Sequence, residues 1–202
     1  IQGQANEVEW KTLKLKEDDL PSGGLLSSTV KPSSINSMKD FFDTVFNGQL
    51  FERNRIDFAC PTYSFTSEKM IWVNRGGMKE AMINCMAFPP YFKDNSGWIA
   101  SPAAIEEAAT YLKTRGVNYV VFVNVLGGEV SIRSGQDRNL TEQILWSEIK
   151  RELNRSRIAN SVININTSEH PLMDLDGRRS LVEIGAKGSR ETVNKLIQQY
   201  GF

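Results

Sequence analysis

Tyr119-Val120-Val121-Phe122-Val123-Asn124-Val125 is the stretch on which the fold turns. Apolar side chains occupy both faces of this run, the pattern of a central strand covered on both sides. Gly127-Gly128 closes it. Before it, Ile105, Ala108, Ala109 and Leu112 recur at helical spacing, with Pro102 in the opening turn and Gly116 at the end. After it comes a charged helix whose expected buried stripe is Leu145, Trp146, Ile149 and Leu153. The strand Ser161-Val162-Ile163-Asn164-Ile165 follows, and then a C-terminal helix expected to bury Val193, Leu196, Ile197 and Tyr200. Strands alternating with helices predict an α/β sheet with helices on its faces.

The upstream half reads in the same way. Met38, Phe41, Phe42 and Val45 form one helical face, with Ser34, Asn36 and Ser37 offering N-cap oxygens as acceptors and Gly48 as the stop. Ile56 to Cys60 is a predicted strand ended by Pro61, and Met70 to Val73 is a second. Gly76-Gly77 leads into an apolar helix containing Ala81, Met82, Cys85 and Met86, which stops before Pro89-Pro90. Gly97 to Ala100 is a short strand-like run. Residues 1–33 carry Pro and Gly punctuation and weak periodicity, so they read as mostly loop, anchored by Trp10, Leu13 and Leu15. Residues 34–202 form the α/β body of a single domain, without an internal linker or repeat.

The composition of the 202 residues limits the chemistry. Lys+Arg and Asp+Glu balance at 24 each, which argues against a duplex nucleic-acid partner, since such partners need a basic excess. No apolar run approaches the roughly 20 residues of a transmembrane helix. His170 is the only histidine, so a site needing two is excluded, and its place before Pro171 favours a surface or structural role. The two cysteines, Cys60 and Cys85, sit in apolar segments and read as buried reduced thiols. Neither glycine-rich phosphate motif, G-x-G-x-x-G or G-x-x-x-x-G-K-[ST], is present, nor a zinc cluster, so no cofactor is expected. The serine elbow G-x-S-x-G is missing as well. Sequons at Asn139, Asn154 and Asn166 are no more than a chain rich in Asn, Ser and Thr produces by chance. The first residue is Ile1 rather than Met, and we expect the natural chain to begin upstream.

The order of motifs is more informative than any one of them. The chain runs Gly76-Gly77-Met78-Lys79-Glu80-Ala81-Met82, then Met86-Ala87-Phe88-Pro89-Pro90-Tyr91-Phe92. It continues Trp98-Ile99-Ala100-Ser101-Pro102, and then Gly116-Val117-Asn118 before the apolar strand. In this order it resembles the C-terminal portion of patatin-like phospholipases. There, a glycine opens an apolar helix of small residues. A proline and an aromatic follow, then a short strand ending in Asp-Gly-Gly, a helix, and an apolar strand. Gly23-Gly24-Leu25-Leu26 with the Phe41-Phe42 helix, and Leu172-Met173-Asp174-Leu175 with the final helix, fit the flanks of that pattern. The resemblance thus spans most of the chain. It implies a three-layer α/β/α fold with a central, mostly parallel sheet, of which this chain lacks the N-terminal strands.

The resemblance also implies a function and exposes a departure from it. Patatin-like enzymes hydrolyse lipid acyl esters with a Ser–Asp dyad, the serine in G-x-S-x-G and the aspartate in Asp-Gly-Gly. Aligned from Gly116, the aspartate position falls on Ala100, followed by Ser101 and Pro102. Alanine cannot take a proton from a serine, and an unactivated hydroxyl is a weak nucleophile. The nucleophile is expected upstream of this chain. If the alignment is shifted, Asp94 is the nearest acid, although Lys93-Asp94-Asn95-Ser96-Gly97 reads as a solvated turn. Ser101 reads as the cap of the helix near Pro102. Met82, Met86, Phe88 and Phe92, with Met78, are expected either to line an acyl-chain pocket or simply to fill the core. Glu106-Glu107 and Lys150-Arg151 read as solvated helix faces. Two functions follow: part of a patatin-like lipid acyl hydrolase, or a catalytically inactive module binding lipid or a protein. In both, the N-terminal half of the domain or another subunit is expected to complete the sheet.

Overall fold

A helix with one apolar stripe becomes stable when that stripe meets another. Glu9, Trp10 and Leu13 are helical, and helix α1 (Lys39–Phe46) follows a 3-10 turn at Ile35–Met38, the turn burying Met38 and the helix Phe42. In the computed structural model, the described residues are 9–10, 13–14, 35–88, 91–126, 140–155, 159–167, 170 and 177–201. The strands are β1 (Cys60–Ser64), β2 (Lys69–Val73), β3 (Trp98–Ala100), β4 (Val121–Asn124) and β5 (Ser161–Asn164). The remaining helices are α2 (Met78–Met86), α3 (Ile105–Thr114), α4 (Leu140–Arg155) and α5 (Arg178–Tyr200). Helices and strands are therefore mixed, as the sequence predicts.

The strands fall into two small sheets among the described residues. β1 is central in an antiparallel sheet of order β2-β1-β3, while β4 and β5 pair in parallel. Among the described residues, parallel pairing is confined to β4 and β5, between which α4 lies in the chain. The first strand differs from expectation. It begins at Cys60 and runs through Pro61, while Ile56 and Phe58 are exposed in the segment before it. Pro61 is tolerated because β3 reaches only as far as Thr62, leaving β2 as the sole neighbour at the proline. Phe58 instead stacks on Phe51, ring centroids 5.8 Å apart.

Two apolar clusters hold the antiparallel half. Ile35, Met38, Phe42, Ile83 and Phe92 form one; Phe51, Met78 and Ala81 form the other. α2 feeds both, and its buried residues are Met78, Ala81 and Ile83, with Met86 left exposed. α3 joins the hairpin through Trp72, whose ring stacks on Tyr111 at 4.4 Å, while Asn74 donates to the Tyr111 hydroxyl at 2.9 Å. Gly116 has φ +85° and closes α3 with two reverse bonds, from its own N–H to the Lys113 carbonyl and from Val117 N–H to that of Leu112.

Several expected buried stripes are narrower than the periodicity suggests. β4 does not have both faces covered: Val121 is 37% and Val123 50% exposed, and Val125 just past its end is 58% exposed. Apolarity fixes what a strand prefers, not what its neighbours provide. On α5, Leu196 is buried but Val193, Ile197 and Tyr200 are exposed, because only part of the helix lies against β5. In α3, Ala109 is buried and Leu112 is exposed. In α4, Ile149 is buried and Leu153 half-buried; the side chains of Leu145 and Trp146 lie outside the described residues. Trp10 is exposed beneath the Lys14 ammonium rather than anchored in a core, and Leu15 lies outside the described residues.

The cysteines correct a second expectation. Cys60 at the start of β1 and Cys85 in the last turn of α2 are joined as a disulfide, with Cα atoms 6.2 Å apart. That spacing lies within the range a disulfide spans. The two residues are apolar in setting, as the sequence indicates, but strand and helix bring them face to face.

Candidate functional site

The segment around Ala100 is assembled by three elements. A tight turn at Asn95–Trp98 reverses the chain, with backbone bonds in both directions between Asn95 and Trp98. Ser96 (φ +53°) and Gly97 (φ +84°) both take the left-handed conformation that a two-residue turn of this kind requires. β3 then runs three residues alongside β1, with Ala100 opposite Thr62. Thr62 is fully buried, and its hydroxyl donates to the Ile99 carbonyl at 2.7 Å. The Ala100 N–H donates to the Ala87 carbonyl at 3.0 Å, which ties the end of β3 to the exit of α2. Asn95 completes the tie by donating its side-chain amide to Asn84 at 2.6 Å.

Ala100 therefore stands half-buried at the junction between a strand and the turn leading to a helix. It offers no group that accepts a proton. Asp94 does not substitute for it. Its carboxylate accepts from Gly97 N–H at 2.7 Å and shapes the turn at the opposite end of β3. Ser101 is not a helix cap either: α3 begins later, its N-cap is Ala104 without a side-chain bond, and only the Ser101 carbonyl is used, by Ala104 N–H. Pro102 accordingly precedes the helix rather than opening it. At α1 the N-cap is Met38, also without a side-chain bond, where Asn36 and Ser37 were expected to cap; their side chains, and Ser34, lie outside the described residues.

The four candidate acyl-pocket residues do not share one surface. Phe92 is buried in the α1–α2 cluster and Met82 packs against both clusters, so these two serve the core. Phe88 is half-buried against Tyr91, with ring centroids 5.9 Å apart, and Met86 is exposed. Helical spacing of sulfur and aromatic side chains brought them into view, but the spacing alone cannot separate core from groove.

At the start of α2, Glu52 accepts from the Gly76 N–H at 2.9 Å. That bond, followed by one to its own backbone, holds the carboxyl below the usual range despite full exposure. His170 is positioned as a surface residue, its Nε2 3.2 Å from the Ser180 hydroxyl on the first turn of α5. Glu106 and Glu107 are exposed in the first turn of α3, as solvated faces should be.

Besides Thr62, another buried polar side chain was not singled out by the sequence. Asn124 is buried near the carboxyl ends of the parallel strands, where α/β folds commonly place ligands. Its amide donates to Asn164 at 3.0 Å and its oxygen accepts from Leu126 N–H at 3.0 Å. The available signal was an asparagine at the matching place in two otherwise apolar strands. The bond from buried Asn124 to exposed Asn164 links the strand ends.

Among the described residues, no group of three or more His, Cys, Asp or Glu is placed to hold a metal ion. No described helix is long and apolar enough to cross a membrane. Compared with protein-family models and with curated proteins, the chain matches none.

Proposed function

We propose that this chain is part of a patatin-like lipid acyl hydrolase module whose base has been lost, so that on its own it binds acyl lipid without cleaving it. The observation that carries this reading is Ala100 at the strand-to-helix junction, the position where the resemblance calls for the dyad aspartate. The elements also follow the order the resemblance implies: α2 after Gly76-Gly77, short β3, α3, then apolar β4. In this reading β4 and β5 belong to a central, mostly parallel sheet completed by the N-terminal half of the domain or by another subunit. Chemistry of the dyad type needs both an activated serine and oriented donors for the oxyanion. Neither Ala100 nor Asp94 supplies the base.

The test pairs binding with turnover. The purified chain and Ala100→Asp are cosedimented with phosphatidylcholine vesicles and assayed for fatty-acid release from lysophosphatidylcholine. Both should bind vesicles and neither should release fatty acid, because restoring the acid does not restore the G-x-S-x-G serine. Turnover by the unaltered chain would remove the inactive reading, and absence of vesicle binding would remove the lipid reading.

A further inference from the structure

α2 is held unevenly along its length. Its first two turns bury Met78, Ala81 and Ile83 in the two apolar clusters. Beyond Ile83 its side chains are less buried, since Asn84 and Cys85 are half-buried and Met86 is 38% exposed, before the chain turns in again at the buried Ala87. The covalent tie from that end to the sheet is the Cys60–Cys85 bond, beside the Asn95–Asn84 hydrogen bond and Ala100 N–H on the Ala87 carbonyl.

We infer that Cys60 and Cys85 form a redox-controlled clasp, which pins the exit of α2 against β1 when oxidised and frees it when reduced. The two sulfurs are unequal in access, since Cys60 is 7% exposed and Cys85 is half-buried at the surface of the helix end. A disulfide opens by attack of a thiolate on one sulfur, and an accessible one is the more labile. The thiolate of a small-molecule dithiol attacks Cys85 Sγ, and Cys60 leaves as a thiolate that takes up a proton. The second thiol of the reductant then displaces Cys85, giving two protein thiols and one oxidised reductant. Closure is the reverse, with a small-molecule disulfide accepting the two electrons and the two thiol protons released to solvent. The clasp adjoins Ala87 and Ala100, so its state sets how firmly the junction at the end of β3 is held.

The experiment compares the full chain after equilibration with glutathione disulfide and with dithiothreitol. Alkylation followed by intact mass reads the thiols, and amide hydrogen exchange reads the backbone. Oxidised protein should carry no alkylatable thiol, and reduced protein two. On reduction, exchange at residues 84–88 should rise roughly tenfold or more, with α1 and β4 unchanged. Cys85→Ser should show the fast exchange in both buffers. Alkylation of both thiols after glutathione disulfide would overturn the proposal. So would unchanged exchange at residues 84–88, or reduction that unfolds the whole chain, since the bond would then be a fixed staple.

Discussion

A hydroxyl shut away from water must find a partner or lose free energy, and Thr62 satisfies this by donating to the Ile99 carbonyl at 2.7 Å. It sits at the centre of the antiparallel sheet, opposite both Ile71 and Ala100. Replacing it with valine keeps the shape and leaves the carbonyl without that donor. Thr62→Val should lower stability by about 1–2 kcal/mol in urea unfolding, whereas Thr62→Ser, which keeps the hydroxyl, should keep the bond and lose only packing. A loss in Thr62→Ser with none in Thr62→Val would show that the methyl, not the hydroxyl, carries the effect.

α5 approaches β5 closely at one glycine and not at another. A Cβ at Gly188 would lie 3.2 Å from Ile165 Cδ1 and 3.9 Å from the Asn164 carbonyl oxygen, whereas at Gly185 it would meet nothing within 4 Å. Alanine in a helix interior is favoured over glycine by about 0.5–1 kcal/mol. Gly185→Ala should therefore raise the melting temperature, and Gly188→Leu should lower it through crowding of about 1–3 kcal/mol. Thermal unfolding of the two variants side by side separates the effects. At this scale the sequence was informative where a pattern is local. β2, β3, β5 and α2 lie where period and punctuation place them, as does the glycine closing α3. It misled where the outcome depends on a distant neighbour. Pro61 ends a strand by propensity, yet it is accepted because β3 stops one residue short of it. The Ala100 junction was legible because strand, turn and helix follow one another in the chain. The Cys60–Cys85 bond was not, because it spans 25 residues and depends on how α2 lies against β1.

Across the whole molecule, the described strands make one antiparallel sheet and one parallel pair, and the valines of the pair are open to water. Val121 and Val123 alternate along β4, Val125 follows its end, and Val162 on β5 is also exposed. Exposed apolar strands are ready templates for pairing with another chain, and a lysine is a common natural deterrent. Val123→Lys should reduce concentration-dependent association in sedimentation velocity, with little change in unfolding because the side chain is half in water already. Identical association of both proteins would locate the adhesive surface elsewhere. The register has another consequence, which concerns synthesis. The hairpin pairs Ser64 with Lys69, five positions apart, and β3 completes the antiparallel sheet at Ala100, whereas Val121 waits for Ser161. At about 5–20 residues per second on the ribosome, β5 emerges seconds after β4. During that interval the nascent chain carries a finished antiparallel half and a valine-rich strand whose partner has not yet been translated, which is the moment when a chaperone has most to shield.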